Sequence, residues 1–222
     1  MPPEGSQGTR AADGPSGPQT ARRPPLRLTG GTREGAGPGL RQGPGNRQAW
    51  EHPQDLVNLL AELKGIARPP LEALGPNRLD AFFERLTDIA WLHDIIEDGR
   101  KGDGSKVTKD DLYHEGIHED VITAVLHLTH REDEEKIVYL ARLRDRAAGG
   151  GIGPDVIIVK LVDRICNLRE GKNVFKDHRW ARVIKETNEY ILPMADALPL
   201  SEQIWLRDNL LAAIQARPVV VV

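Results

Sequence analysis

The 222-residue sequence has little of what several classes of protein require. Its single cysteine, Cys166, excludes an intramolecular disulfide framework and any zinc cluster built on cysteines. No apolar run approaches the roughly 18 residues of a transmembrane helix, and no charged-then-apolar start indicates secretion. The net charge of −3 gives no reason to expect binding to nucleic acid. We therefore expect a cytoplasmic protein that binds neither a membrane nor nucleic acid.

The first 48 residues differ in composition from the rest of the chain. They hold 11 of the 22 glycines and 8 of the 16 prolines, with seven arginines, no lysine and three acidic residues. Such a segment cannot bury enough apolar surface to offset the entropy lost when a chain becomes ordered. We therefore predict a disordered tail over residues 1–45 and one folded domain over residues 46–217. A basic arm that touches RNA or lipid, or a stretch that is not native sequence, are alternatives for the tail.

The folded part has the apolar period of helices almost throughout. Leucines at three- and four-residue steps predict a first helix from about residue 52, and Thr108 followed by Asp111 predicts a capped short helix. An acidic run, residues 132–135, suits the positive end of another helix. The remaining helices are expected at about 78–98, 118–129, 132–147, 178–197 and 200–216.

One apolar segment allows two interpretations. Residues 156–168 are rich enough in β-branched side chains to form a strand. We favour a buried helix because the apolar pattern extends over about 16 residues and the neighbouring segments are helical. The sequence therefore predicts an all-α protein.

A cluster of ionisable residues follows the second predicted helix. On a helix, His93, Asp94, Glu97 and Asp98 would fall within about 140° of one another. Four such groups beside an apolar face carry a desolvation cost unless a partner compensates their charge. A divalent cation would do so, bound by the imidazole and a carboxylate, with two carboxylates left to act on water. A His-Asp pair on the surface without a function is the alternative.

A second polar pair lies on the most apolar segment of the chain. Asp163 and Asn167 are four residues apart and therefore share a helix face. An unpaired carboxylate there would be costly, so a second metal carboxylate explains Asp163 and a ligand contact explains Asn167. The alternative is that Asp163 pairs with an arginine such as Arg164 or Arg169.

Taken together, these strings resemble a known family. Residues 93–98 (HDIIED) and 159–169 (VKLVDRICNLR) are similar to the HD hydrolase domain of the RelA/SpoT alarmone enzymes. Residues 50–60 (WEHPQDLVNLL) and 184–195 (IKETNEYILPMA) resemble two further motifs of that family, in the same order. The resemblance covers residues 46–198 and is closest in size to the stand-alone small alarmone hydrolases.

The resemblance implies an HD-domain helical bundle and a metal-dependent reaction. The reaction is hydrolysis of the 3′-pyrophosphate of ppGpp or pppGpp, which gives GDP or GTP and pyrophosphate. One metal ion, in this family usually manganese, would be held by His52, His93, Asp94 and Asp163. Glu97 and Asp98 would act on the attacking water, and Asn167 would contact the nucleoside. Cations suited to the phosphates of a nucleotide are Arg41, Arg47, Lys160, Arg164 and Arg169.

The N-terminal region departs from the family pattern. Little precedes His52 that resembles the basic, substrate-contacting segment of the family, and an insert at residues 65–80 lengthens the gap to His93. Two other functions therefore stay open. One is a phosphohydrolase with the same metal site that acts on another nucleotide or on a nicotinamide dinucleotide phosphate. The other is a catalytically silent module that binds metal or nucleotide.

The remaining candidate residues have simpler interpretations. Cys166 is expected to be a small core residue and not a nucleophile. Residues 129–131 and Tyr139 resemble a family stretch with a structural role. We expect ordinary roles for the other histidines, which lack a carboxylate at ligand spacing: His114, His118, His127, His130 and His178.

Overall fold

The computed structural model describes residues 51–66, 76–148 and 150–217. The predicted tail with Arg41, residues 46–50 with Arg47, and residues 67–75 of the insert lie outside these ranges. Within the described ranges every regular element is helical, apart from an isolated bridge between Arg100 and Lys106. The prediction of an all-α protein is therefore confirmed. None of the helices in these ranges combines the length and the apolar character that crossing a bilayer requires.

The α-helices follow one another along the chain with short connections. They are α1 (Glu51–Ile66), α2 (Pro76–Leu92), α3 (Ile95–Asp98), α4 (Lys109–His114), α5 (Glu119–Leu128), α6 (Lys136–Ala148), α7 (Gly153–Val174), α8 (Asp177–Glu186) and α9 (Leu200–Gln215). A π-helical turn (Thr187–Ile191) and a 3₁₀ turn (Leu192–Ala197) join α8 to α9.

Helix α7 lies at the centre of the core. It packs against α1, α2, α5, α6 and α9, and its residues from Val156 to Val159 and from Leu161 to Cys166 are buried. A helical segment with apolar side chains on most of its sides belongs in the interior of a protein. The ambiguous segment is therefore the buried helix that we predicted, and it extends further, from Gly153 to Val174. Cys166 is part of this core, as expected.

The structure corrects the helix predicted over residues 78–98. Helix α2 ends at Leu92, His93 and Asp94 form a turn, and the four-residue helix α3 follows. Nδ1 of His93 lies 2.8 Å from the carbonyl oxygen of Ala90, so the imidazole N–H satisfies a backbone acceptor at the end of α2. His93 and Asp94 therefore lie at a helix end and not on one continuous helical face.

Other predicted helix boundaries were partly right. Thr108 and Asp111 form the expected capping box at the start of α4. Residues 132–135 were wrongly placed in a helix, since α6 begins only at Lys136. The helix predicted over residues 178–197 is α8 followed by the π-helical and 3₁₀ turns.

The packing of α7 against the following segment predicts an effect for a single methyl group. A Cβ atom at Gly171 would lie 2.5 Å from Cε2 of the Phe175 ring, whose centre is 4.0 Å from the Arg179 guanidinium carbon. Gly171→Ala should therefore lower the free energy of unfolding by about 1–3 kcal/mol, because the ring must move. Denaturant unfolding would measure the loss.

Gly65 provides the matched control for this substitution. It is an exposed helical glycine in α1, and a Cβ atom there would meet nothing within 4 Å. Gly65→Ala should leave stability unchanged or raise it by up to about 1 kcal/mol. Equal effects at the two glycines would contradict the described packing of Phe175.

Candidate metal centre

Helix α1 brings a buried histidine to the central helix. His52 is in the first turn of α1, on the same side as the buried leucines Leu56, Leu59 and Leu63. This residue is 3 % exposed, and Nε2 of its ring lies 3.1 Å from Oδ1 of Asp163 on α7. Packing of the α1 leucines against the core therefore delivers an imidazole to a carboxylate 111 residues away.

The end of α2 brings a second histidine and a carboxylate to the same place. His93 is 5 % exposed, with Nε2 3.1 Å from Oδ2 of Asp94 and 3.8 Å from Oδ1 of Asp163. The ring centres of His52 and His93 are 5.5 Å apart. We refer to these four residues, His52, His93, Asp94 and Asp163, as the His–Asp cluster.

The hydrogen bonding of the buried ring nitrogens indicates whether a cation fits in the cluster. Nδ1–H of His93 donates to Ala90, so in the neutral ring Nε2 carries a lone pair; this buried nitrogen has no hydrogen-bond partner in the described part of the chain. A lone pair facing two carboxylates is unfavourable unless positive charge lies between them. Nδ1 of His52 is a second buried nitrogen without a partner in the same ranges.

The electrostatics of His93 favour positive charge at the same position. Burial lowers the pKa of His93, but the Asp94 and Asp163 carboxylates outweigh burial, and the net pKa is raised. A proton or a metal ion would supply that charge. Ligand atoms of His52, His93 and Asp94 all lie within 4.8 Å of one another, so this group could hold a metal ion. Imidazole nitrogens and carboxylate oxygens suit a divalent cation of intermediate hardness.

Asp163 is held in its ionised form by donors on three sides. Oδ1 accepts from Nδ2 of Asn167 at 2.5 Å and contacts His52, and Oδ2 accepts from Nζ of Lys160 at 3.2 Å. Burial raises the pKa of Asp163, but Lys160 and the histidines His52 and His93 outweigh it and hold the pKa well below its usual range. Its negative charge is therefore permanent near neutral pH.

The arginines considered as partners of Asp163 have other partners. Arg164 pairs with Glu186 at the end of α8. Nη2 of Arg169 donates to Oδ1 of Asn209 on α9 at 2.7 Å. The alternative that Asp163 is neutralised by one of these arginines is therefore wrong.

A cavity of about 130 Å³ lies beside the cluster. His93, Asp94 and Asp163 form part of its wall, and Glu97 from α3 forms another part. Burial raises the pKa of Glu97, and the nearby carboxylates of Asp94 and Asp98 raise it further. The hydrogen bond from the His130 amide lowers this pKa, but its effect is smaller, and the net pKa is raised. A half-buried carboxyl group with a raised pKa beside a cavity is suited to proton transfer.

The other predicted site residues are placed differently. Lys160 lines the cavity. Asp98 is exposed and does not belong to the cavity wall. The side-chain amide of Asn167 donates to Asp163, and the guanidinium of Arg169 donates to Asn209. Neither Asn167 nor Arg169 lines the cavity. The structure therefore brings Glu97 and Lys160 to the His–Asp cluster and leaves Asp98 and Arg169 outside it.

Helix α6 contributes residues that the sequence patterns did not assign to the site. Lys136 and Tyr139 line the cavity, and so does His130 from the turn before α6, which we had expected to be ordinary. The Tyr139 hydroxyl donates to the carbonyl of Leu128 at 2.5 Å, and the Lys160 ammonium lies 5.5 Å from the centre of its ring. Tyr139 thus has the expected structural role and also forms cavity wall. The three-residue step from Lys136 to Tyr139 on one helix was the available signal.

Comparison with known proteins adds no relative to this description. No family model matches the chain, and no curated protein matches it in sequence. The class that the structure defines is therefore an all-α protein with a buried histidine–carboxylate group that could hold a metal ion.

Proposed function

We propose that the protein is a metal-dependent pyrophosphohydrolase that converts ppGpp or pppGpp to GDP or GTP and pyrophosphate. The resemblance of its motifs to the HD domain of the RelA/SpoT enzymes suggests the reaction. One observation carries the proposal: three separate motifs contribute His52, His93, Asp94 and Asp163 to a single cluster beside a cavity. These four side chains would hold the ion.

A divalent cation, manganese in the family that the sequence resembles, would lower the pKa of a bound water and neutralise charge on the phosphoryl oxygens. Glu97, which lines the cavity, would accept a proton from the attacking water. The water oxygen joins the phosphorus next to the ribose, the 3′ oxygen leaves with a proton, and pyrophosphate is released. The raised pKa of Glu97 suits a group that must both accept and return a proton.

Two lysines supply positive charge in the cavity wall. Burial lowers the pKa of Lys160, but Tyr139 and Asp163 outweigh it and raise the net pKa, so the ammonium stays charged. Lys136 is half exposed, with Nζ 3.5 Å from Oε2 of Glu186. Both ammonium groups would interact favourably with the phosphates of a nucleotide.

We expect purified protein supplied with ppGpp and Mn²⁺ to release GDP and pyrophosphate, and a chelator to stop the release. Chromatography of the nucleotides and an enzymatic pyrophosphate assay would follow both products. Absence of release from protein shown to carry Mn²⁺ would overturn the alarmone substrate.

A second candidate keeps the same site and changes the substrate. The cavity of about 130 Å³ is smaller than the roughly 300–1,000 Å³ of pockets that enclose a whole ligand. Its wall therefore suits the phosphate end of a substrate, and the same site would serve another nucleotide or a nicotinamide dinucleotide phosphate. Release of product from one of these, and not from ppGpp, would identify this function. Binding of Mn²⁺ and nucleotide with no turnover of any of them would indicate a silent binding module.

A further inference from the structure

The turn between α5 and α6, residues 129–135, is hydrogen-bonded to one arginine of α6. Arg142 on α6 donates from Nε to Oε1 of Glu134 at 2.8 Å and from Nη2 to Oε2 at 2.9 Å. It also donates to the carbonyl oxygens of His127 at 3.0 Å and Thr129 at 3.1 Å. Because these bonds come from one planar guanidinium, they fix both ends of the turn to α6. We call the pair of Arg142 and Glu134 the turn clamp.

The turn clamp is charged and largely shielded. The Glu134 side chain is 8 % exposed, and that of Arg142 is 23 % exposed. The hydrogen bonds from Arg142 lower the pKa of Glu134 to about 2, so both members are ionised at neutral pH. The amide of Arg131 approaches the same carboxylate at 3.5 Å.

The fastened turn carries a backbone donor that reaches the cavity. The His130 N–H donates to Oε1 of Glu97 at 2.5 Å, while Nε2–H of His130 donates to the carbonyl of Glu134 at 2.7 Å. The ring of His130 also lies 5.0 Å from that of Tyr139. His130 therefore hydrogen-bonds to the turn through its side chain and to Glu97 through its backbone N–H.

Glu97 lies on a helix of a single turn. Helix α3 spans only the four residues Ile95–Asp98, of which Ile95 and Ile96 pack, partly buried, against the core. Within the described ranges, the His130 amide is the hydrogen-bond donor that holds the Glu97 carboxylate. The position of this carboxylate at the cavity therefore depends on a turn that lies 33 residues further along the chain.

We propose that Arg142 and Glu134 are positioning residues that hold Glu97 in place at the cavity through the backbone amide of His130. The consequence for catalysis rests on the proposed function, whereas the mechanical link does not. A merely structural clamp would stabilise α5 and α6 without governing Glu97.

Hydrogen exchange of the His130 amide tests the link without any substrate. Arg142→Lys keeps the charge but loses the planar fork, and Glu134→Gln loses the charge. Each should speed exchange of this amide by about tenfold or more, as should Glu97→Ala, which removes its acceptor. Arg144→Lys is the control on the same helix, since Arg144 is 63 % exposed and should have no effect. Unchanged exchange in Arg142→Lys and Glu134→Gln would overturn the proposal.

Turnover tests the consequence for Glu97. Arg142→Lys should lower kcat about tenfold or more with little change in KM or Mn²⁺ affinity, because a misplaced group costs rate more than binding. In a Glu97→Gln background the same substitution should cost nothing further, and losses that multiply would overturn the proposal. If the wild type turns over no nucleotide, the proposed function fails, and the exchange result alone decides the link.

Discussion

Replacing Asp94 by alanine is expected to abolish metal binding and turnover together. Oδ2 of Asp94 lies 3.1 Å from Nε2 of His93, so the substitution removes the negative oxygen next to the nitrogen that would bind the ion. Changes in groups that only support metal ligands cost about 10–100-fold in affinity, and loss of a charged ligand should cost more than about 100-fold. Titration with Mn²⁺, followed by a ppGpp assay, would measure both effects.

Asp94 is the member of the His–Asp cluster whose replacement should disturb the fold least. Its side chain is 35 % exposed, so alanine there leaves no buried charge without a counter-charge. Removal of Asp163 would leave the largely shielded Lys160 ammonium without its carboxylate partner, a defect that costs up to about 3–5 kcal/mol of stability. Asp208→Ala, at an exposed position on α9, is the control and should keep full metal affinity. Full metal affinity and turnover in Asp94→Ala would show that the proposed site is wrong.

Replacing Glu97 by glutamine is expected to leave the metal bound and to lower kcat by about 10²–10⁴-fold. Glutamine has nearly the same shape and still accepts the His130 N–H, but it cannot take a proton from water. Because Glu97 is not a member of the His–Asp cluster, Mn²⁺ affinity should change little. Steady-state kinetics at saturating Mn²⁺, paired with a metal titration, would separate the two effects.

Two acidic residues that follow Glu97 in the chain provide its matched controls. Glu115→Gln, at an exposed position after α4, should keep the wild-type kcat. Asp98→Asn should lower kcat less than Glu97→Gln does, because Asp98 is exposed and does not line the cavity. The reverse order would transfer the proton-transfer role from Glu97 to Asp98.

The sequence contained enough to predict the fold class and the cluster. Helical period identified the elements, and the length of the apolar segment together with its helical neighbours favoured a helix over a strand for α7. Asp163 could be singled out because a carboxylate on so apolar a helix needs compensation. His52 depended on the resemblance, since a lone histidine in a first turn has no local signal of being a ligand.

What could not be predicted depends on contacts between distant segments. No glycine or proline directly follows Leu92 to mark the end of α2 in the sequence. The helix ends there in the structure, where the imidazole of His93 donates a hydrogen bond to the carbonyl oxygen of Ala90. Glu134 fits the helix start that its acidic neighbours predict, but Arg142 holds it in a turn. Asn167 shares a face with Asp163 as predicted, yet the spacing could not show that its amide would bind the carboxylate.

The turn at His93 and Asp94 also sets a limit for protein engineering. Nδ1 of His93 donates to a backbone carbonyl at the end of α2, and Nε2 of the same ring faces Asp94. One side chain therefore belongs both to the helix end and to the site. Stronger helix formers at residues 93–95 would favour a longer α2 and would turn these side chains away from His52 and Asp163. Thermostable variants should therefore be sought on exposed helix faces, where propensity can be raised without opposing the geometry of the site.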